Sequence, residues 1–232
     1  MLTLLILQFI AHVLADFSFK PQQWCERKDN KILSKEHLYH IIIVFVLSWL
    51  CSAQMSFWWA ALTIAAIHFL LDMLKGILSG CQKLDRFLFF TDQILHLTVI
   101  VIVTFCYSSV CLIEFPVKIA PYPAFIVFSF LLCTKPSNII IREILKSFEI
   151  PVSEPADTNE LMNAGKLIGT LERVISLALI LIDQFAAVGF IIAAKSLLRF
   201  RDTATARTEY LLIGTLLSFG IVILLGIICQ LI

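Results

Sequence analysis

The feature that most constrains the fold of this chain is a series of apolar stretches long enough to enter a lipid bilayer. One of them reads MSFWWAALTIAAIHFLL over residues 55–71. A helix needs about 20 mainly apolar residues to cross the hydrocarbon core of a membrane. In addition, 59% of the residues are hydrophobic and the mean hydropathy is +0.92, well above the values of a soluble domain. The sequence therefore predicts an all-α, polytopic transmembrane helical bundle.

The apolar stretches predict about eight spans. The first carries His12 and Asp16 and lacks a basic leader region, so we expect a span there rather than a cleaved signal peptide. The fifth is short, which favours a tilted or re-entrant element. The segment NIIIREILKSF directly after it predicts an amphipathic interfacial helix near 138–149. The expected spans are 2–19, 38–56, 57–75, 88–110, 122–135, 165–183, 186–200 and 209–231.

One polar segment divides the chain into halves. Residues 150–164, IPVSEPADTNELMNA, contain two prolines and three acidic residues, a composition typical of a linker. We therefore expect a half with four spans at 1–110, a short span and interfacial helix at 111–149, the linker, and a three-helix half at 165–232.

The positions of the basic residues predict the orientation in the membrane. Of the 18 lysines and arginines, all but Lys118 and Arg173 fall in alternate loops of the eight-span arrangement. The positive-inside rule then places these loops in the cytosol and both termini outside. The seven cysteines form no C-x-x-C pair and indicate neither a disulfide framework nor a zinc ribbon.

Histidine and aspartate recur at a spacing of one helical turn within the apolar segments. The pairs are His12/Asp16, His68/Asp72 and, in reverse order, Asp92/His96. Residues at i and i+4 share one face of a helix. In the predicted orientation these pairs, together with His37 and His40 at the start of the second span, all lie towards the cytosolic side. The sequence therefore predicts a shared polar pocket between the first four spans.

Imidazole and carboxylate ligands suit zinc, manganese, iron or nickel, and a metal with open positions activates water for hydrolysis. A single His–Asp pair would more simply be a hydrogen bond that holds two helices together. Three such pairs favour a metal or proton-handling site, because ionisable groups inside a membrane are usually functional. We expect a divalent transition metal, zinc or manganese, with Asp92 and His96 as catalytic residues. The predicted metal ligands are His12, Asp16, His37, His40, His68, Asp72, Asp92 and His96.

The second half contains polar residues but no histidine. Two interpretations stay open: a cationic pocket for a phosphate or carboxylate, or lysine and arginine side chains that snorkel to the membrane surface. A buried Glu172 is expected to pair with Arg173, Lys195 or Arg199, since an unpaired charge in lipid is costly. The predicted substrate-binding residues are Glu172, Arg173, Lys195, Ser196 and Arg199.

Six blocks of sequence resemble, in order, those of a bacterial inner-membrane family catalogued as domain of unknown function 3307. The blocks are AHVLADFSFKPQ, HFLLDMLK, FTDQILH, GKLIGTLERVI, AAKSLLRF and EYLLIGTLLS. The resemblance implies a location in the bacterial inner (cytoplasmic) membrane, and it places Gln93 beside the His/Asp pairs in the family pattern. A weaker resemblance links the pairs to proteins described as membrane-bound metal-dependent hydrolases.

Three functions remain compatible with these features. The first is a metal-dependent hydrolase of a phosphorylated or lipid substrate at the cytosolic face. The second is a transporter or channel for a small solute or divalent ion, and the third is a structural or signalling membrane protein. The expected partners are the lipid bilayer and an anionic or phosphorylated small molecule; we expect no nucleic acid, and a homo-oligomer stays open.

Overall fold

The computed structural model describes residues 1–19, 35–78, 85–111, 119–148, 159–199 and 205–232, with side chains except at 85–86, 159–164, 198–199 and 205–211. Within these ranges the chain is helical and has no β-strand. The all-α fold expected from the sequence is therefore confirmed. The helices are α1 (Leu2–Val13), α2 (Lys35–Ser52), α3 (Trp58–Leu78), α4 (Asp85–Val110), α5 (Pro121–Leu132), α6 (Lys135–Ser147), α7 (Asn159–Leu181), α8 (Phe185–Arg199) and α9 (Thr205–Leu231).

The chain forms two compact units, Met1–Phe128 and Ser129–Ile232. The finer division expected from the sequence, with a linker at 150–164, stays a prediction. Residues 149–158 of that linker lie outside the described part of the chain.

The eight spans expected from the sequence are not supported. By length and composition, the described residues contain three helices able to cross a membrane: Met55–Leu78, Phe87–Val110 and Leu212–Leu231. A fourth is counted if α5 and α6, bent by 55° at their junction, form one broken span or a re-entrant loop. The predicted orientation of the termini was built on eight spans and stays a prediction.

The difference in span number has a physical cause. The apolar helices Leu2–Ser18 and Phe185–Leu197 are shorter than the roughly 20 residues that a bilayer core requires. Helix α2 begins with the charged Lys35 and Glu36, and α7 carries charged residues in its middle. Apolar composition led to the prediction of a span in each of these segments. Helix length and charged residues inside the helix distinguish those that can cross a bilayer from those that are too short or too polar.

The first unit packs α1 to α4 around a core of large and very small side chains. Leu4, Phe57 and Tyr107 are fully buried there, as are Ala60 and Ala61 on α3. Alanines on a buried helix face let neighbouring helix backbones approach closely, which is how helices associate when lipid removes the hydrophobic driving force. This close approach brings the polar side chains of four helices within reach of one another.

Two irregular turns shape the ends of these helices. Beyond Val13, α1 continues into a π-helical turn, Leu14–Ser18, which carries Asp16; such turns often occur at functional sites. Between α2 and α3, Ala53 adopts a φ of 52°, a left-handed conformation uncommon for a residue other than glycine. It reverses the chain before the short 3₁₀ turn Met55–Phe57.

In the second unit, α7 packs against α9 at a position that requires a glycine. A Cβ at Gly226 would overlap Cγ2 of Ile180 on α7. By contrast, a Cβ at Gly214 of the same helix would meet no atom within 4 Å. Gly226 therefore marks a point of close contact between these two helices.

Candidate metal centre

Four helices of the first unit bring histidine and aspartate side chains into one cluster. We call it the His/Asp cluster; its members are His12 and Asp16 from α1 and its π turn, His40 from α2, His68 and Asp72 from α3, and Asp92 and His96 from α4. His68 lies at its middle, with ring centroids 4.0 Å from His96 and 5.1 Å from His40. The side chains of Asp16 and Asp72 are 7% and 5% exposed. The pairs predicted at one-turn spacing thus converge in the interior of the first unit.

Carboxylate oxygens of two aspartates lie close to the Nε2 atoms of His40 and His68. Nε2 of His40 is 3.1 Å from Nε2 of His68 and 3.3 Å from Oδ1 of Asp16. Nε2 of His68 is 3.4 Å from the same Asp16 oxygen. The fourth atom, Oδ2 of Asp72, is 3.7 Å from each of the two histidine nitrogens. Donors bound at 2.0–2.2 Å around tetrahedral zinc are separated by about 3.3–3.6 Å.

The carboxylate of Asp72 faces two sets of donors. Its Oδ2 points to His40 and His68, as described above, while its Oδ1 lies 3.9 Å from Nε2 of His96. The side chains of Asp72, Asp92 and His96 form a second group whose ligand atoms lie within 4.8 Å of one another. Asp72 therefore joins the two groups through its two oxygens.

His12 is held by an amide whose orientation is fixed by its neighbours. Nε2 of Gln93 donates to Oδ2 of Asp16 at 3.4 Å and to Oδ2 of Asp92 at 3.3 Å. The amide oxygen of Gln93 therefore faces His12, at 3.3 Å from its Nε2. Since a carbonyl oxygen only accepts, His12 donates from Nε2 and leaves Nδ1 on the side of Asp16, 4.0 Å from Oδ1.

Lys75 supplies a cation at the edge of the cluster. Its Nζ donates to Oδ2 of Asp92 at 2.7 Å, and its side chain is 35% exposed whereas that of Asp92 is 4% exposed. The lysine thus reaches from the surface of the first unit to a buried carboxylate.

These groups have the composition of a metal site. Imidazole and carboxylate donors within 4.8 Å of one another occur in three sets: the first two sets share His68, and the last two share Asp72. Buried charged groups are retained in proteins when they are paired or coordinate a metal. The His/Asp cluster can therefore hold a metal ion.

His37 is not among the donors of this cluster. It lies one turn before His40 on α2 and is half-buried, and it belongs to none of the three donor sets found among the described residues. Its predicted role as a ligand stays a prediction.

The predicted substrate-binding residues belong to the second unit. Glu172 forms an ion pair with Lys195, one of the three partners left open by the sequence. Arg173 is 2% exposed and donates to neutral acceptors: the carbonyl of Cys133 at 2.8 Å, Ser218 at 3.0 Å and Asn138 at 2.6 Å.

These bonds place Arg173 at the junction of α5 and α6. Ser196 donates to the carbonyl of Ile192 at 2.9 Å, within its own helix. The side chain of Arg199 lies outside the described part of the chain. An anion-binding role for all five residues stays a prediction.

Sequence reasoning assigned no role in the site to Lys75 or Gln93. Lys75 was counted only among the basic loop residues, and Gln93 only as part of a family resemblance. Both follow a cluster aspartate closely: Lys75 is three residues after Asp72, and Gln93 is next to Asp92. The position of Lys75 at i+3 from Asp72, on the same helix face, is the signal that could have indicated that it lies near the cluster.

Comparison with known proteins places the cluster within a family. The model of the family described as "Protein of unknown function (DUF3307)" matches residues 4–119, a range that includes the whole His/Asp cluster. The blocks from GKLIGTLERVI onwards lie beyond the match, and the weaker resemblance to metal-dependent hydrolases stays a prediction. No curated protein and no solved structure matches the chain. Because the match covers 4–119 of 232 residues, the protein belongs to the DUF3307 family.

Proposed function

We propose that the first unit is a transition-metal centre embedded among membrane helices, and that the protein is a metal-dependent hydrolase. The observation that supports this most strongly is the arrangement around His40 and His68, whose Nε2 atoms lie 3.1 Å apart and 3.3–3.7 Å from carboxylate oxygens of Asp16 and Asp72. These five separations are close to the edges of a tetrahedral zinc site, about 3.3–3.6 Å.

The types of ligand favour catalysis over a purely structural role. Structural zinc sites are commonly rich in cysteine, whereas catalytic zinc sites use histidine and carboxylate ligands. The cluster contains histidine and aspartate and no cysteine. A divalent metal bound here would acidify water and polarise the carbonyl or phosphoryl group of a substrate.

The residues around the donors have separate roles in this proposal. The amide oxygen of Gln93 orients His12, and its amide nitrogen donates hydrogen bonds to both Asp16 and Asp92. Outer partners of this kind hold ligands in place, and their loss typically lowers metal affinity 10- to 100-fold. Asp92 and His96 lie beside the four tetrahedral donors and are the proposed catalytic residues.

The experiment uses the full chain purified in detergent. We expect zinc or manganese in stoichiometric amount by elemental analysis, and metal-dependent hydrolysis of a chromogenic phosphate ester. His68→Ala is expected to lose both, because its Nε2 belongs to the tetrahedral set. Metal-free wild-type protein would contradict the metal centre, and metal-loaded protein without turnover of ester substrates would contradict the hydrolase.

A second candidate, transport of a divalent ion or a small solute, is favoured by a row of polar side chains in the same unit. The buried face of α2 carries Ser48 and Ser52 after His40. Ser48 exchanges hydrogen bonds of 2.6 and 2.9 Å with Gln8. Further along, Tyr107 donates to Gln54 at 2.9 Å and contacts the exposed Ser56 at 2.6 Å.

Polar groups along a helical bundle commonly line ion or proton pathways. Uptake of Mn²⁺ into proteoliposomes that is abolished by Ser48→Val, without hydrolysis of any ester, would favour transport. Hydrolysis that persists in Ser48→Val, with no uptake, would favour the enzyme.

A further inference from the structure

We infer that the cluster contains a second divalent-cation site formed by Asp72, Asp92 and His96, and that the ammonium group of Lys75 occupies its edge until a metal displaces it. The inference deepens the proposed function and rests on it. Three observations support it: the tautomer of His96, the contact of Lys75 with Asp92, and the two-sided position of Asp72.

The hydrogen bonds of His96 determine which of its nitrogens can bind a metal. Nδ1 lies 2.8 Å from the backbone carbonyl of Asp92. A carbonyl only accepts, so Nδ1 carries the proton and Nε2 presents a lone pair in the neutral ring. This orientation is usual for metal-bound histidine, whose other nitrogen donates to a carbonyl or carboxylate.

The second nitrogen of His96 is buried near a carboxylate. His96 is 2% exposed, and its Nε2 has no hydrogen-bond partner among the described residues. Oδ1 of Asp72 lies 3.9 Å from it. A buried lone pair without a partner needs a cation or a donor beside it. A divalent metal held by His96 and the two carboxylates would satisfy it.

Lys75 occupies the third corner of this site. It donates to Oδ2 of Asp92 at 2.7 Å, and Oδ1 of the same carboxylate lies 3.5 Å from Nδ1 of His96. The Lys75 side chain is 35% exposed and has a long flexible stem that can move its charge to the surface. The side chain of Asp92 is buried and has less freedom to move than that of Lys75. An incoming metal therefore displaces the lysine and not the carboxylate.

Asp72 makes the second site part of one centre. With Oδ2 towards the tetrahedral donors and Oδ1 towards His96, its carboxylate is placed to bridge two ions. Hydrolytic two-metal sites hold their ions about 3.5–4 Å apart and clamp the attacking and leaving oxygens of a phosphoryl group. The second site therefore points to an anionic phosphate ester as the substrate class.

The test is a Mn²⁺ titration of the full-length protein in detergent, followed by electron paramagnetic resonance. For the wild type we expect one tight and one weaker binding event. Lys75→Met removes the competing charge and its hydrogen bond to Asp92, worth about 1.5 kcal/mol. It is expected to tighten only the second event, by about tenfold, with a spectrum of two exchange-coupled ions. Lys75→Arg retains the charge and is the matched control, with a second event like that of the wild type.

Asp92→Asn is expected to abolish the second event and keep the first. Identical second-event affinities in wild type and Lys75→Met would overturn the inference, as would two ions without exchange coupling. Absence of any bound Mn²⁺ or Zn²⁺ in all variants would instead refute the metal centre itself. Thermal unfolding of each variant verifies that the compared proteins are folded.

Discussion

Replacement of His40 by alanine tests the geometry of the tetrahedral site directly. The substitution removes one of four donors, a nitrogen 3.1 Å from His68 and 3.3 Å from Asp16. Structural zinc sites with four ligands have apparent binding free energies of about 10–16 kcal/mol, or about 2.5–4 kcal/mol per ligand. Since 1.4 kcal/mol corresponds to a factor of ten, His40→Ala should weaken zinc binding roughly 10²- to 10³-fold.

The chain offers a matched control on the same helix. His37 lies one turn before His40 but belongs to none of the donor sets of the described residues. We therefore expect His37→Ala to bind zinc with wild-type affinity, measured by competition with a chromogenic chelator. Equal losses in the two variants, or wild-type affinity in His40→Ala, would refute the assignment of donors.

Three further predictions concern the Gln93 amide, the pH and helix packing. Gln93→Leu should lower zinc affinity 10- to 100-fold in the same chelator assay, and an unchanged affinity would exclude its positioning role. Lowering the pH should release the metal reversibly, because imidazole must be deprotonated to bind; elemental analysis after dialysis at pH 7.5 and 5.5 measures this, and retention at the lower pH would contradict histidine ligation. Gly226→Ala should destabilise the second unit by about 1–3 kcal/mol through overlap with Ile180. Gly214→Ala, where a Cβ meets open space, is its control in thermal unfolding, and equal melting temperatures would contradict the predicted contact.

The sequence predicted the class of fold but overestimated the number of spans. Apolar composition alone cannot distinguish a helix that crosses a bilayer from a shorter apolar helix such as Leu2–Ser18. The break between α5 and α6 is explained by the sequence, because Lys135 and Pro136 begin a new helix and proline suits a first turn. The angle of the bend, 55°, is not. The length and direction of the other short helices depend on packing that no single segment encodes.

The convergence of the His/Asp pairs could be predicted from the sequence, whereas their roles as ligands and catalytic residues stay predictions. The one-turn spacing placed each His/Asp pair on a single helix face, and the structure brings these faces together around His68. The spacing could not show that His40 enters the cluster whereas His37 lies outside its donor sets, since residues three apart at a helix start are neighbours on the surface. Nor could it show that Lys75 reaches Asp92, a contact between two different helices.

The most direct test of the central claim is X-ray absorption spectroscopy of the protein as purified in detergent. The account predicts stoichiometric zinc or manganese with a first shell of nitrogen and oxygen at about 2.0–2.2 Å and imidazole scattering from the histidines. A metal-free protein, or a shell of sulfur at about 2.3 Å from the cysteines, would contradict it.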